Sequence, residues 1–388
     1  MKRIAVVTTT RAEFGLLLPV IKELRKYEND VLKVDLIVSG THLSQQYGCT
    51  INEIIDSGVR IDYGIKIPLK ATCASDISNN QAEILIKFTN IFSENCYNAI
   101  VLLGDRYEML AVAIAARNMQ IPIFHLCGGD TTEGAMDEWI RHAITKMSYL
   151  HFVTNRESYN RVIQLGENPN RVFDYGSTSI DNVLNHANLS EKDILEDLGI
   201  ATEKYAICTY HPVTMGETAI EWQIENFVAA IKQFPMIEFI VTKSNSDLGG
   251  EKINELLARA ELEIQNLHVV SSLGIERYLA LMRHALFVLG NSSSGIVETP
   301  AFGVPTVNIG DRQKGRLRAE SIIDCGEDTK SIVNAIYCAL NEEFCKKCHQ
   351  CKNPYGDGKA VVRIAKKIVE VILDWKIDLK KKFYDINV

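Results

Sequence analysis

The feature that most constrains this chain is an alternation of apolar, β-branched runs with amphipathic helical stretches, played through twice. In the first half "RIAVVTT" (3–9) precedes "FGLLLPVIKELRKY" (14–27), and "KVDLIVSG" (33–40) precedes a helical pattern ending near Gly58. "NAIVLLG" (98–104) then precedes "RYEMLAVAIAARNM" (106–119), followed by "IPIFHL" (121–126) and "HFVTN" (151–155). The second half repeats this with "YAICTYHP" (205–212), a helix over about 221–233, "EFIVTKS" (238–244) and a helix over about 250–260. After these come "HVVSS" (268–272), "IERYLALMRHA" (275–285), "ALFVLG" (285–290) and "PTVNIG" (305–310). Short apolar runs without polar alternation predict strands buried on both faces, and their alternation with helices predicts parallel sheets. In 388 residues, at the usual ~100–200 residues per domain, this gives an α/β chain of two doubly wound, Rossmann-like domains. The first run ends near "DYGSTSID" (174–181), which sets the domains at 1–176 and 177–365. The stretch "GKAVVRIAKKIVEVILDWKIDLKK" (358–381) reads as one long helix, so 366–388 is expected to return to the first domain as a C-terminal helix. Ligands of open parallel sheets bind outside the carboxyl ends of the strands. Arg11, Asp105, the 125–137 loop, His211, Asn245 and the 291–312 segment are therefore expected to face one cleft between the domains.

Composition narrows the function classes. A formal charge of −7 and pI near 5.8 argue against nucleic acid as a partner, since a sequence-blind binder needs a basic face. No apolar stretch approaches the ~18 residues of a membrane span. The start "MKRIAVVTTTRAEFG" runs straight into a strand pattern without the apolar region of a signal peptide. With ten scattered cysteines and no secreted-domain framework, the expectation is a cytoplasmic protein with reduced thiols. Cys345, Cys348 and Cys351 in "CKKCHQC", with His349 beside them, have some metal-ligand character. Their i, i+3, i+6 spacing equally marks one helix face, and no second cysteine pair stands at finger spacing, so no metal is expected.

At the end of "ALFVLG" the chain opens into "NSSSGIVETPAFGVPTVNIGDRQKGR" (291–316). Small hydroxyl residues between a buried strand and a helix start can seat an anion on free N–H groups, or can simply cap the helix. Pro300 should break that helix after little more than one turn. Neither G-x-G-x-x-G after a strand nor G-x-x-x-x-G-K-[ST] is present, so no NAD-type or ATP-hydrolysing cofactor use is implied.

Six separated motifs then fall in a recognised order: "TTTRAEFG" (8–15), "GDRYE" (104–108), "TEGAMDEWIRHAITKMSYLHF" (132–152), "HPVT" (211–214), "GNSSSG" (290–295) and "GDRQKGR" (310–316). Together they resemble the hydrolysing UDP-N-acetylglucosamine 2-epimerases of sialic acid biosynthesis, which have the two-domain glycosyltransferase-B fold. The likeness runs from about residue 3 to 370, and "GSTSID" and "RQKGR" resemble the hydrolysing branch. It implies that Ser292 and Ser293 hold the diphosphate of a UDP-sugar and that Glu298 accepts hydrogen bonds from the ribose hydroxyls. By the same resemblance Arg11 and Arg312 neutralise phosphate charge, Arg106 is a further candidate, and Asn245 and the backbone around Leu273 contact the uracil. No cofactor is implied, and a homodimer or homotetramer is.

The implied reaction eliminates UDP across C1 and C2 of the sugar to a glycal. Water then adds with inversion at C2, releasing N-acetylmannosamine and UDP. A sugar C2 proton has no adjacent carbonyl, so it becomes removable only as the C1–O bond breaks. The site needs phosphate stabilisers and carboxylates beside the ring. Asp105 and Asp137 match the family's catalytic carboxylates, each with helix capping as its ordinary alternative. His211 matches a family histidine beside the diphosphate, where an imidazole can hydrogen-bond or protonate a departing phosphate. Many relatives carry Glu as the third residue of "H-I-E-G-G", whereas this chain has Cys127 in "HLCGGD". A thiol is a poor acid–base group without an activator, so Glu133, in the longer loop before Asp137, is expected to supply the third group. Asp130 is a further carboxylate there. Rival readings are a hydrolysing epimerase of UDP-2,4-diacetamido-2,4,6-trideoxyglucose for legionaminic-type acids, a non-hydrolysing UDP-N-acetylglucosamine 2-epimerase, and a nucleotide-sugar-binding regulator without activity.

Overall fold

The computed structural model describes residues 1–44, 50–69, 74–131, 136–186, 189–212, 218–244, 249–271 and 273–386. The chain divides into two compact units, Met1–Asn182 with Tyr355–Val388, and Val183–Pro354. In unit 1 seven parallel strands, β1 (Lys2–Thr8), β2 (Leu32–Ser39), β3 (Tyr63–Ile65), β4 (Ala99–Leu103), β5 (Ile123–Leu126), β6 (Leu150–Val153) and β7 (Val172–Asp174), stand in the order β3-β2-β1-β4-β5-β6-β7. The helices between them are α1 (Arg11–Arg25), α2 (Ile51–Asp56), α3 (Ala74–Glu94), α4 (Tyr107–Asn118), α5 (Met136–Met147) and α6 (Arg156–Gln164). The chain leaves unit 1 within α7 (Thr178–His186).

Unit 2 has six parallel strands, β8 (Tyr205–Thr209), β9 (Glu238–Thr242), β10 (Leu267–Val270), β11 (Val288–Gly290), β12 (Thr306–Ile309) and β13 (Ile322–Cys325), ordered β10-β9-β8-β11-β12-β13. Its helices are α8 (Glu191–Asp197), α9 (Ile220–Ile231), α10 (Gly250–Glu261), α11 (Gly274–His284), α12 (Ser293–Val297), α13 (Thr329–Ala339) and α14 (Glu342–Gln350). Helix α15 (Ala360–Asp374) belongs to unit 1 again. Two doubly wound parallel sheets are what the strand–helix alternation predicted. The strands are buried on both faces: Ile4 and Val6 join one apolar cluster while Ala5 and Val7 join another. In unit 2 Ala206 and Cys208 divide from Tyr205 and Ile207 in the same way. Each such fully buried aliphatic side chain contributes ~1.5–3 kcal/mol against leaving it in water.

The crossings fall after Asn182 and before Tyr355, where the sequence reading set them at 176 and 365. The returning helix is also shorter than the expected 366–388. It starts at Ala360, ends at Asp374 and buries Val361, Ile364, Ile368 and Ile372 on one stripe. The Asp181 carboxylate accepts from the N–H groups of Ala360 and Val361, both at 3.1 Å, and so caps α15 across 180 residues of sequence. From Trp375 to Ile386 the chain is non-helical because tertiary partners win. Lys381 Nζ donates to the carbonyls of Lys146 and Ser148 and pairs with Glu167, and the Tyr384 N–H bonds to the Gly166 carbonyl. No helix among the described residues is long and apolar enough to cross a membrane.

Candidate active site

In unit 1 the chemistry-bearing side chains sit where strands hand over to helices. The turn after β1 begins α1 with a capping box, in which the Glu13 N–H reaches the Thr10 hydroxyl and the Glu13 carboxylate accepts from the Thr9 and Thr10 N–H groups. Glu13 is buried, and burial pushes its carboxyl up to about 7 against the hydrogen bonds from Thr9. Arg11 follows the cap, extends into solvent and pairs with Glu53 at 3.1 Å. An exposed pair of this kind is worth at most ~1 kcal/mol and leaves the guanidinium easily recruited by an anion.

Asp105 follows β4, and it is not a helix cap. The N-cap of α4 is Arg106, whose guanidinium lies on both oxygens of the buried Glu108 at 3.2 Å. The Asp105 carboxylate instead turns to Arg141 on α5, which holds Oδ2 through Nε at 2.9 Å and through Nη2. The turn is steadied by the buried His125, whose Nε2 lies 3.1 Å from the Gly104 carbonyl and which burial pushes down to about 3. As a neutral ring it donates that hydrogen bond. Asp137 lies in the first turn of α5. Its carboxyl is pushed up, by desolvation first and then by the charge of Asp105, while Arg106 and Arg141 pull the other way. Asp105, Arg106 and Asp137 thus share one electrostatic neighbourhood.

The third acid–base position is less simple. Cys127 has φ of 63°, gives its N–H to the Phe152 carbonyl and packs partly against the apolar core. Burial first, then the charges of Asp130 and Asp105, pushes its thiol far up, which leaves it neutral and unsuited to proton transfer. Asp130 is occupied, accepting from the Thr154 hydroxyl at 2.7 Å and the Ser158 hydroxyl at 2.5 Å. Glu133 lies outside the described residues, as does Asn245.

In unit 2 the corresponding strand ends are joined by Asn291, which the sequence reading passed over. Its Oδ1 accepts the His211 N–H at 2.7 Å and its Nδ2 donates to the His211 carbonyl at 2.8 Å. Its own carbonyl accepts from Arg312 Nη1 at 3.2 Å and Gln313 Nε2 at 2.9 Å. One asparagine therefore registers the histidine, the serine turn and the arginine loop. The strand before it can only be this tight with glycine at 290, since φ is 136° and a Cβ would run into the Thr209 carbonyl. His211 also places Nδ1 3.2 Å from the Ser244 hydroxyl.

Helix α12 has five residues and gives way to a turn of 3-10 helix, Thr299–Phe302, with Pro300 at its start. Ser292 is its N-cap, accepting weakly from the Ser294 N–H at 3.4 Å, so the capping alternative holds for that residue. The Ser293 hydroxyl has no protein partner among the described residues. A helix this short has little dipole, so an anion seat here depends on hydroxyls, N–H groups and Arg312. Glu298 ends α12, half-buried, with its carboxyl pushed up by desolvation and accepting from the Ser294 hydroxyl at 2.5 Å. Leu273 is the buried N-cap residue of α11, its side chain in the apolar core, so only its backbone is available to a ligand. Arg141 was detectable in the sequence as well, since it stands four residues after Asp137 and so shares a helix face with it.

The sequence pattern of the UDP-N-acetylglucosamine 2-epimerases matches residues 23–369. The chain is 37% identical over 388 residues to the polysialic acid biosynthesis protein P7 of Escherichia coli, covering 100% of this chain and 98% of that one. It is 38% identical over 325 residues to the GDP/UDP-N,N'-diacetylbacillosamine 2-epimerase (hydrolyzing) of Campylobacter jejuni, covering 83% and 84%. In fold it is similar to the UDP-GlcNAc 2-epimerase of Neisseria meningitidis, solved bound to UDP-GlcNAc, with a TM-score of 0.75 at 21% identity over 96% and 100% of the two chains. With a pattern match over most of its length and a full-length relative above a third identical, the chain belongs to the UDP-N-acetylglucosamine 2-epimerase family.

Proposed function

We propose that this chain is a hydrolysing 2-epimerase, converting UDP-N-acetylglucosamine and water to N-acetylmannosamine and UDP. The observation that carries the reading is the unequal treatment of two carboxyls in unit 1. Asp105 is ion-paired with Arg141, while Asp137 is pushed up by desolvation and by that neighbouring charge. An ion-paired carboxylate beside a carboxyl that is pushed up suits an elimination, in which one removes the C2 proton while another holds or returns one. As the C1–O bond breaks, its electron pair leaves with the β-phosphate, and the C2–H pair forms the C1=C2 double bond of the glycal. Addition of water then puts hydroxyl on C1 and a proton on C2 from the opposite face. The residues of unit 2 carry the nucleotide in this reading: Ser292, Ser293 and Arg312 at the diphosphate, His211 beside it, Glu298 at the ribose.

Hydrolysis rather than return of a UDP-sugar is supported by the relatives named as hydrolysing. A second substrate is favoured by the same names: at 38% and 32% identity they are N,N'-diacetylbacillosamine 2-epimerases, whose sugar differs at C4 and C6. Incubation of each UDP-sugar in D₂O, followed by NMR, tests the reading. The expected product is free 2-epimerised sugar with deuterium at C2, plus UDP, with no added cofactor. A nucleotide-linked product, or protium retained at C2, would refute elimination and hydration. The preferred substrate is read from the ratio of the two kcat/KM values.

A further inference from the structure

We infer that Arg141 is a positioning residue of the acid–base centre, fixing Asp105 so that a single oxygen, Oδ1, faces the reacting sugar. The inference rests on the proposed 2-epimerase reading and adds to it a residue that none of the motif assignments includes.

The guanidinium is almost wholly enclosed, with 4% of its side chain exposed against 27% for Asp105. Two of its nitrogens, Nε and Nη2, converge on one oxygen of Asp105, Oδ2. No protein group among the described residues is paired with Oδ1. A carboxylate held through one oxygen by a rigid fork has lost its rotation, so its second oxygen points in one direction. The third nitrogen, Nη1, donates to the Asp130 carbonyl at 2.7 Å and to Glu138 Oε2 at 3.1 Å. One side chain therefore ties three segments together: the turn after β4 that carries Asp105, the loop after β5, and helix α5 that carries Asp137. Because Arg141 lies one helical turn beyond Asp137, it also sets the spacing of the two carboxyls. General acid–base catalysis depends on that spacing, and a misplacement of ~1 Å costs on the order of 10²-fold in rate.

A lysine at this position keeps the charge but replaces the planar fork with a point donor on a flexible stem. An alanine removes both. Arg141→Lys and Arg141→Ala are compared with wild type by steady-state kinetics on the substrate that wild type turns over, by calorimetric titration with UDP, and by thermal unfolding. Arg141→Ala is assayed again with 50–100 mM guanidinium chloride (~50–100 mM, far below denaturing levels), with sodium chloride as the control. Positioning predicts that kcat falls ~10²-fold in the lysine variant and further in the alanine variant. KM and UDP affinity should stay within about threefold of wild type. It also predicts partial recovery of kcat by guanidinium and none by sodium. A kcat within threefold of wild type in both folded variants would overturn the inference. So would a loss of kcat that guanidinium does not relieve in a variant with unchanged unfolding temperature. If alanine unfolds the chain, the lysine variant decides: near-normal kcat refutes positioning, and lowered kcat with intact UDP affinity supports it. Failure of the family-level reading looks different, since wild type itself would then release no epimerised sugar from either UDP-sugar.

Discussion

Glu167 offers the sharpest stability test in the fold. Its side chain is 1% exposed, yet it is charged, with Lys146 Nζ at 2.6 Å, Lys381 Nζ at 2.5 Å and His151 Nε2 at 3.0 Å around it. Burial pushes its carboxyl up, but the hydrogen bonds and charges of these three partners outweigh that and hold it at about 2 instead of the ordinary 4.5. At ~1.4 kcal/mol per pKa unit, the ionised form contributes about 3 kcal/mol at neutral pH. The folded value lies below the unfolded one, so this contribution is whole above pH ~4.5 and is lost as the pH falls toward ~2. Glu167→Gln should therefore lower the stability of unit 1 by about 3 kcal/mol at pH 7, and the deficit should shrink to less than half by pH ~3. Urea unfolding followed by tryptophan fluorescence measures it. A Trp222→Phe background leaves Trp139 and Trp375, both in unit 1, as reporters. A deficit under ~1 kcal/mol at pH 7, or one that does not change between pH 7 and pH 3, would refute the argument.

Four shorter tests accompany it. Glu13 has the opposite sign: its folded value of about 7 exceeds the unfolded 4.5, so its contribution to stability falls by about 3 kcal/mol as pH rises from ~4.5 to ~7. Unfolding across that range should lose this slope in Glu13→Gln. Gly166 has φ of 83° and a Cβ there would enter the Phe383 ring, so Gly166→Ala should cost ~1–3 kcal/mol in thermal unfolding and release the C-terminal tail to limited proteolysis. Ser293→Ala and Arg312→Ala should each weaken UDP binding in calorimetry by ~1–3 kcal/mol, and wild-type affinity in both would remove the phosphate seat. Cys127→Ala should keep most of the turnover while Glu133→Gln lowers kcat by ~10²–10⁴, and the reverse pattern would return the third acid–base role to the thiol.

The sequence exposed the fold where burial is two-sided and hid it at the margins. Strands such as "RIAVVTT" and "YAICTY" are apolar on both faces, which helices and loops do not imitate. The strands missed in reading the sequence were β3, β7 and β13, each at a sheet edge. An edge strand has one neighbour and tolerates polar residues, as the half-exposed β13 does. The overlong C-terminal helix has a different cause. "WKIDLKK" keeps a helical rhythm, but Lys381 finds two carbonyls and a carboxylate that no helix would give it. Among the candidate site residues, the positions of Asp105 and His211 could be read because motif and strand end coincide, and that of Asp137 because its motif opens a helical pattern. The helix face of Arg141 could be read from its spacing to Asp137, but its pairing with Asp105, 36 residues away, could not, nor could the Asn291 contact across 80 residues.

The return of α15 also bears on the order in which the protein can be made. Everything in Val183–Pro354 is synthesised before Ala360–Asp374. The serine turn, Asn291 and the arginine loop can therefore assemble while Asp181 still lacks the N–H groups it will cap. Until then one face of the first sheet, including Ile4, Val34 and Leu36, lacks the helix that completes its cluster. A message cut short near its end would accordingly yield a chain whose latter unit is intact and whose former unit is open.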